Sequence, residues 1–125
     1  MKPVVLDTGA LIALERRDHR ALALFEEIVA GRAVAHVPAG VLAQVWRGSA
    51  RQHAIGRLLR AEALRVHPLS ESVAYRVGLL LGASHTADVV DAHCALLGRA
   101  LSGIVVTSDP EDLRRLDPSV ELVTL

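Results

Sequence analysis

Short apolar runs and longer amphipathic stretches alternate along the whole chain. Pro3-Val4-Val5-Leu6 has the unbroken apolar character of a strand buried on both faces. Asp7-Thr8-Gly9 follows it, and Ala10 to Arg16 reads as a helix. Asp18 to Ala30 predicts a second helix, with Leu22, Phe25, Ile28 and Val29 on the apolar face and Glu26 and Glu27 turned away. Gly31 stops it. Ala33 to Val37 alternates as a strand, and Pro38 begins a helix carrying Val41, Leu42, Val45 and Trp46. Arg51 to Ala63 predicts a further helix, with Ile55, Leu58 and Leu59 as its stripe. Leu64 to His67 is a third strand, closed by Pro68. Ser70 with Glu71 opens a helix to about Gly82, and Thr86 or Asp88 caps another that ends near Ala100. Ile104 to Thr107 is a fourth strand, Asp109 to Leu116 a last helix, and Val120 to Val123 a final strand.

Strands that alternate with helices imply a mostly parallel α/β sheet of four to five strands, covered by helices on both faces. The length of 125 residues suits a single domain over 1–125. With 51% apolar and 22% charged residues, the composition is that of a globular protein. No apolar run approaches the roughly 20 residues of a membrane span, and the start lacks the pattern of a secretory signal. One cysteine, Cys94, excludes a disulfide framework and makes a reducing cytoplasm the expected setting. Acidic and basic residues balance at 14 each, so no overall basic field advertises nucleic acid. The bases are nevertheless arginines apart from Lys2, and a guanidinium fork suits phosphate. Phe25, Trp46 and Tyr75 are too few for a base-stacking platform.

Open parallel sheets bind ligands beyond the carboxyl ends of their strands, and there the acids gather. Leu6 runs into Asp7, and Thr107-Ser108 into Asp109. Asp88 and Asp91 stand one turn apart at the start of the helix that precedes the fourth strand, so both can face the same way. Each acid alone is explained by helix capping or by the helix dipole, and Asp109-Pro110 is a favoured helix start. Together they form a group of carboxylates at one sheet edge, and like charges so placed call for a hard cation such as Mg²⁺ or Mn²⁺. Such a centre lowers the pKa of bound water and offsets charge on a phosphoryl oxygen, the chemistry of phosphodiester hydrolysis.

The segments Val5-Leu6-Asp7-Thr8-Gly9-Ala10-Leu11-Ile12-Ala13, Asp88-Val89-Val90-Asp91-Ala92 and Val105-Val106-Thr107-Ser108-Asp109, in this order, resemble the PIN-domain family and its VapC-type toxins. The resemblance spans the whole chain. It implies a PIN-like fold and a Mg²⁺-dependent endoribonuclease, with Mn²⁺ as substitute, acting on tRNA, rRNA or mRNA. It also implies 5′-phosphate products, silencing by a cognate antitoxin and a homodimer formed through the first-half helices. Position by position, Asp7, Asp91 and Asp109 match the catalytic, metal-holding acids. Asp88 is a further ligand or the N-cap. Thr8, Thr107 and Ser108 would hydrogen-bond carboxylates or phosphate.

One position departs from the family pattern: Gln44 stands where a glutamate is usual. Its amide oxygen accepts hydrogen bonds but brings no charge, and Asp88 is expected to compensate. Arg47 and Arg51, close to Gln44, are candidates for guiding an RNA backbone. His93 lies two residues beyond Asp91, about 200° round the helix, and is read as structural. Cys94 and Trp46 are read as packing residues. Glu15 is roughly 12 Å along the helix from Asp7, too far to share an ion. For Asp112, three residues beyond Asp109, a capping role suffices. A response-regulator receiver would need an acceptor aspartate ending the central strand, where His67-Pro68 stands, and a late lysine. A haloacid-dehalogenase-like phosphatase would need a second aspartate at Gly9. The remaining alternative is a catalytically weak PIN-fold RNA- or protein-binding module, impaired by Gln44.

Overall fold

The computed structural model describes residues 1–125. Five strands, β1 (Val4–Leu6), β2 (Ala35–Pro38), β3 (Leu64–His67), β4 (Ile104–Thr107) and β5 (Glu121–Thr124), form one sheet in the order β3-β2-β1-β4-β5. All pairings are parallel, with Val4, Val5 and Leu6 of β1 opposite Ile104, Val105 and Val106 of β4. The central strand is the one whose three residues are all apolar and all buried. It has sheet neighbours on both edges and helices on both faces, so no polar side chain fits there.

Seven helices connect the strands: α1 (Thr8–Glu15), α2 (His19–Val29), α3 (Ala39–Val45), α4 (His53–Leu59), α5 (Glu71–Ser84), α6 (Val89–Ala100) and α7 (Pro110–Leu116). From β1 the chain steps outward to β2 and β3, then returns past β1 to β4 and β5. Right-handed crossovers force the helices of these two excursions onto opposite faces. Thus α1, with α2 and α4 beside it, packs on β1 and β4 from one side, while α6 crosses β1, β2 and β4 on the other with α5 and α7 against it. The strand order reverses between β1 and β4, and a crevice opens beyond their carboxyl ends. Asp7 follows one of these strands and Asp109 the other. No helix is long and apolar enough to cross a membrane.

Four local expectations are corrected. In α2 the buried stripe is Ala21, Phe25 and Ile28, at spacings of four and three. Val29, off that stripe at the helix end, is 40% exposed. The helix expected over Arg51–Ala63 is a 3₁₀ turn at Ala50–Gln52 followed by α4, which ends at Leu59. Buried Gln52 explains the break: its Oε1 accepts from the Arg47 and Gly48 amides and its Nε2 donates to the Val45 carbonyl, tying the turn to the end of α3. Trp46 is 43% exposed and lies outside the core. Finally, β3 is an edge strand and β1 is central, so His67 says nothing about a receiver. The receiver is excluded by its different order, 2-1-3-4-5, and by the missing late lysine.

Candidate active site

Asp7 leaves β1 in an extended conformation and caps α1, its Oδ1 accepting from the Ala10 amide at 2.8 Å. It is only 6% exposed. Burial raises its pKa, with a smaller push from Asp109, while hydrogen bonds from Thr107, Ala10 and Gly9 hold it back. Thr107, the last residue of β4, is wholly buried, and its Oγ1 also accepts from the Asp109 amide at 2.9 Å. One hydroxyl thereby ties the Asp7 side chain to the backbone of Asp109. The first turn of α1 lies so close to the β4–α7 connection that a side chain on Gly9 would collide with Ser108, whose backbone nitrogen is 3.2 Å from the place of a Cβ.

The other acids arrive on α6 and α7. Asp88 caps α6, accepting from the Asp91 amide at 2.9 Å. Asp91, one turn on, is half-buried, and its pKa is raised to about 6. Desolvation is the first cause, followed by the charges of Asp88, Asp7, Asp112 and Asp109. Asp109 is exposed at the start of α7, where its side chain accepts no capping hydrogen bond. The neighbouring Asp112 carboxyl raises its pKa. Asp88, Asp91 and Asp112 line a cavity of about 280 Å³ with His85, Thr86 and Arg115 among the other walls. A second hollow, about 310 Å³, begins at Gly9 and Ser108 and runs along Ile12, Ala13 and Arg16.

The sequence-expected residues are therefore distributed as follows. Asp7, Thr107 and Asp109 meet at one point, and the electrostatic influence of Asp7, Asp88 and Asp109 reaches Asp91. Ser108 stands exposed at the rim. The Thr8 hydroxyl donates to the Gln44 Oε1, so the amide of Gln44 is anchored to α1. Gly40 lets α3 approach α6, since a Cβ there would sit 2.9 Å from Val90 Cγ2. Arg47 and Arg51 do not join the acids. Arg47 donates to the Ala43 and Trp46 carbonyls at the end of α3, and Arg51 lines a separate cavity between α1, α2 and α4. His93 and Cys94 are buried, and desolvation lowers the first pKa and raises the second, so both are held neutral.

Sequence reasoning missed Asp112 as a member of this group. A reciprocal capping box would need its side chain on the Asp109 amide, and Thr107 already occupies that amide. The missed signal is its offset of three from Asp109, which on a helix puts the two on one face.

As a donor set these groups are carboxylate, hydroxyl and amide oxygens, the set that hard divalent cations prefer. No three acidic, histidine or cysteine side chains converge on one point as they stand. Oxygen donors of this chemistry fit a cation, and a positive charge among them would offset the carboxylate repulsion that, after burial, lifts Asp91.

A parallel sheet in this order, with acids beyond the carboxyl ends of its two middle strands, defines an α/β domain with an anionic crevice at its switch point. A PIN-domain family model matches residues 4–117, and the chain belongs to the PIN-domain family, whose members are in the main nucleases. No curated protein matches it. Among solved structures it is similar to the VapBC2 complex from Rickettsia felis bound to a DNA fragment from its promoter, with a TM-score of 0.68 at 14% identity over 98% of both chains. It is likewise similar to FitAB bound to an IR36 DNA fragment, with a TM-score of 0.67 at 18% identity over 97% of this chain and 94% of that one. The third is PAE2754 from Pyrobaculum aerophilum, with a TM-score of 0.60 at 16% identity over 96% and 89%.

Proposed function

We propose that this protein is a Mg²⁺- or Mn²⁺-dependent endoribonuclease of the VapC toxin type, working in the cytoplasm and neutralised by a cognate antitoxin. The observation that carries the reading is the placement of Asp7 and Asp109 directly after the two middle strands with Asp91 in the first turn of α6 beside them, where burial first and then the neighbouring carboxylates raise the Asp91 pKa to about 6. An arrangement that costs stability in this way has a use once a cation enters it. Asp7, Asp91 and Asp109 would hold the ion, with Asp88 beside them. When bound, the ion supplies Lewis-acid help at the phosphate and readies water for attack. The chain's own residues supply position. Thr107 and the Ala10 amide fix the Asp7 carboxylate, and Gly9 keeps the rim open where Ser108 offers a hydroxyl to a phosphate. The hollow along Ile12, Ala13 and Arg16 gives the strand a way in, with the Arg16 guanidinium as a backbone contact. Likeness to the VapBC2 and FitAB complexes supports a protein partner. A homodimer is part of this reading; besides the first-half helices, Tyr75 and Leu79, one turn apart on α5, are exposed apolar residues.

The test is cleavage of a mixed tRNA, rRNA and mRNA pool by purified, antitoxin-free protein with Mg²⁺, Mn²⁺ or EDTA, with Asp7→Asn alongside. Discrete products that require metal and disappear in the variant are expected. A second reading, a binding module without turnover, is favoured by Gln44, which brings no charge and is tied to Thr8. Folded protein that retains RNA without cutting it under any metal would establish that reading instead.

A further inference from the structure

We propose that Trp46, with Arg47 and Arg60 beside it, forms a binding surface for single-stranded RNA next to the acidic crevice. The indole stacks on one base and the guanidinium groups hold the flanking phosphates. The inference rests on the nuclease reading, which makes RNA the ligand, and it adds where that ligand is gripped away from the carboxylates. The first observation is a charge asymmetry that the overall balance conceals. From Ile28 to Ala61 the chain has no aspartate or glutamate, and it has five arginines. Arg32 is paired with Glu27, whereas Arg47, Arg51, Arg57 and Arg60 are exposed and meet no carboxylate. Unpaired guanidinium groups on the end of α3, the 3₁₀ turn and α4 thus make a positive surface beside a negative crevice. That pairing of charges suits a polyanion held on one side and cut on the other.

The second observation is Trp46 itself. It is the only tryptophan of the chain, and it is 43% exposed where α3 ends and the backbone turns extended. Its position is nevertheless fixed. Its amide donates to the Leu42 carbonyl and the next amide to the Gln52 Oε1, both at 2.8 Å. The far edge of its ring lies against Gly56 of α4, 3.8 Å from the place of a Cβ, and the Arg60 guanidinium is 3.4 Å from that same place. Arg47 donates to the Trp46 carbonyl at 2.8 Å, so cations flank the indole on both sides. An open aromatic ring with arginines around it is the combination that stacks a base and holds its phosphates. A second copy of this chain, in a two-fold interface centred here, would set arginine against arginine. Gln44, two residues before Trp46, accepts from Thr8, the residue after Asp7, so α3 carries this surface to the border of the crevice.

Because Trp46 is the sole tryptophan, its fluorescence reports on the surface directly. The test titrates the full chain with a short, mixed-sequence single-stranded RNA in EDTA, with the anisotropy of a labelled strand as a second readout. Saturable quenching of the indole over the range in which anisotropy rises is expected. Trp46→Ala should weaken binding about tenfold with its circular dichroism unchanged, and Trp46→Phe should recover part of the loss. Arg60→Gln should weaken binding and lower the slope of log affinity on log salt by about 0.7, the share of one phosphate contact on a single strand. Arg32→Gln, which removes an arginine already paired, should change affinity less than about twofold. RNA that binds without quenching, or that binds Trp46→Ala within about twofold of wild type, would overturn this inference, and metal-dependent cleavage by the same preparation would leave the nuclease reading standing. If Trp46→Ala also changes the mass seen in light scattering while binding RNA normally, the surface belongs to a second copy instead. Quenching with no cleavage under any metal would keep this surface and overturn the nuclease reading, and a protein that neither binds nor cuts RNA would overturn both.

Discussion

Two clusters of ionisable groups sit on neighbouring parts of the same sheet, and they are resolved in opposite ways. Around β1 and β4, carboxylates accumulate with their protons held more tightly than usual, through burial first and neighbouring charge second at Asp7 and Asp91, and through the Asp112 carboxyl at Asp109. Around β2 and β3, His36 and His67 lie side by side, the Nδ1 of one 2.8 Å from the Nε2 of the other. Desolvation, then the charges of His67 and Arg65, lower the His36 pKa; desolvation, then His67 and Arg76, lower that of His93. The histidines settle their polarity internally: a neutral imidazole donates and its neighbour accepts. The carboxylates cannot, because ionised they only accept. Topology separates the two cases. Between β2 and β3 the chain proceeds in one direction and the helices close over the sheet, whereas between β1 and β4 it reverses and leaves the acids open to solvent and to a counter-ion. A self-satisfied cluster is structural, and one that lacks its counter-charge is a site.

The largest effect that would break this contrast is at Asp7. Asp7→Asn keeps the α1 cap but removes a charge proposed to hold the metal, and RNA cleavage should fall at least about 100-fold, as for loss of an essential electrostatic group. Activity within about threefold of wild type in a gel assay would put the chemistry elsewhere. On the histidine side, His67→Ala leaves the His36 Nδ1 unpaired and should cost about 1–2 kcal/mol in urea unfolding, with no change in Mn²⁺ affinity.

A smaller effect of opposite sign is expected at Asp91. Its raised pKa means that ionisation opposes folding, by about 1–2 kcal/mol once half-exposure is discounted. Asp91→Asn should therefore raise Tm by about 5 °C at pH 7.5 while abolishing metal-dependent cleavage. A fall in Tm would mean that the carboxylate is structural.

The pH dependence of stability then separates the two clusters. Between the usual carboxylate range and about pH 6, folded Asp91 binds more protons than the unfolded chain, so its contribution makes the fold more stable as pH falls. Half-buried His36 and buried His93 bind fewer protons than unfolded histidine. Their contribution is whole above about pH 6.5 and is lost as pH falls through their lowered values. Wild type should show a shallow net slope between pH 7 and 5. Asp91→Asn should lose stability more steeply on acidification, and denaturation curves at three pH values would show it. Least in size, saturating Mn²⁺ should raise the wild-type Tm by about 2–4 °C at pH 7.5 and by less at pH 5.5, where protons compete at Asp91.

Much of this arrangement was legible in the chain. The run Val4-Val5-Leu6 announced a buried strand, though not that it is the central one, and acids placed directly after two strands announced the crevice, because a parallel sheet leaves its strand ends on one edge. What was not legible depended on contacts distant in sequence. Gln52 looked like a helix residue and is a staple for α3, since nothing local shows that three backbone groups lie within its reach. Asp112 looked like a cap because its usual partner amide is three residues away, and only the fold gives that amide to Thr107. Arg47 and Arg51 stood near Gln44 in sequence, but the end of α3 turns them away from the acids.

The most direct measurement is an anomalous difference map from crystals soaked in MnCl₂ without antitoxin. A Mn²⁺ peak among Asp7, Asp91 and Asp109 is the predicted result. Well-ordered carboxylates with no peak between them, at a concentration that saturates binding in solution, would contradict the assignment of this crevice as the metal centre.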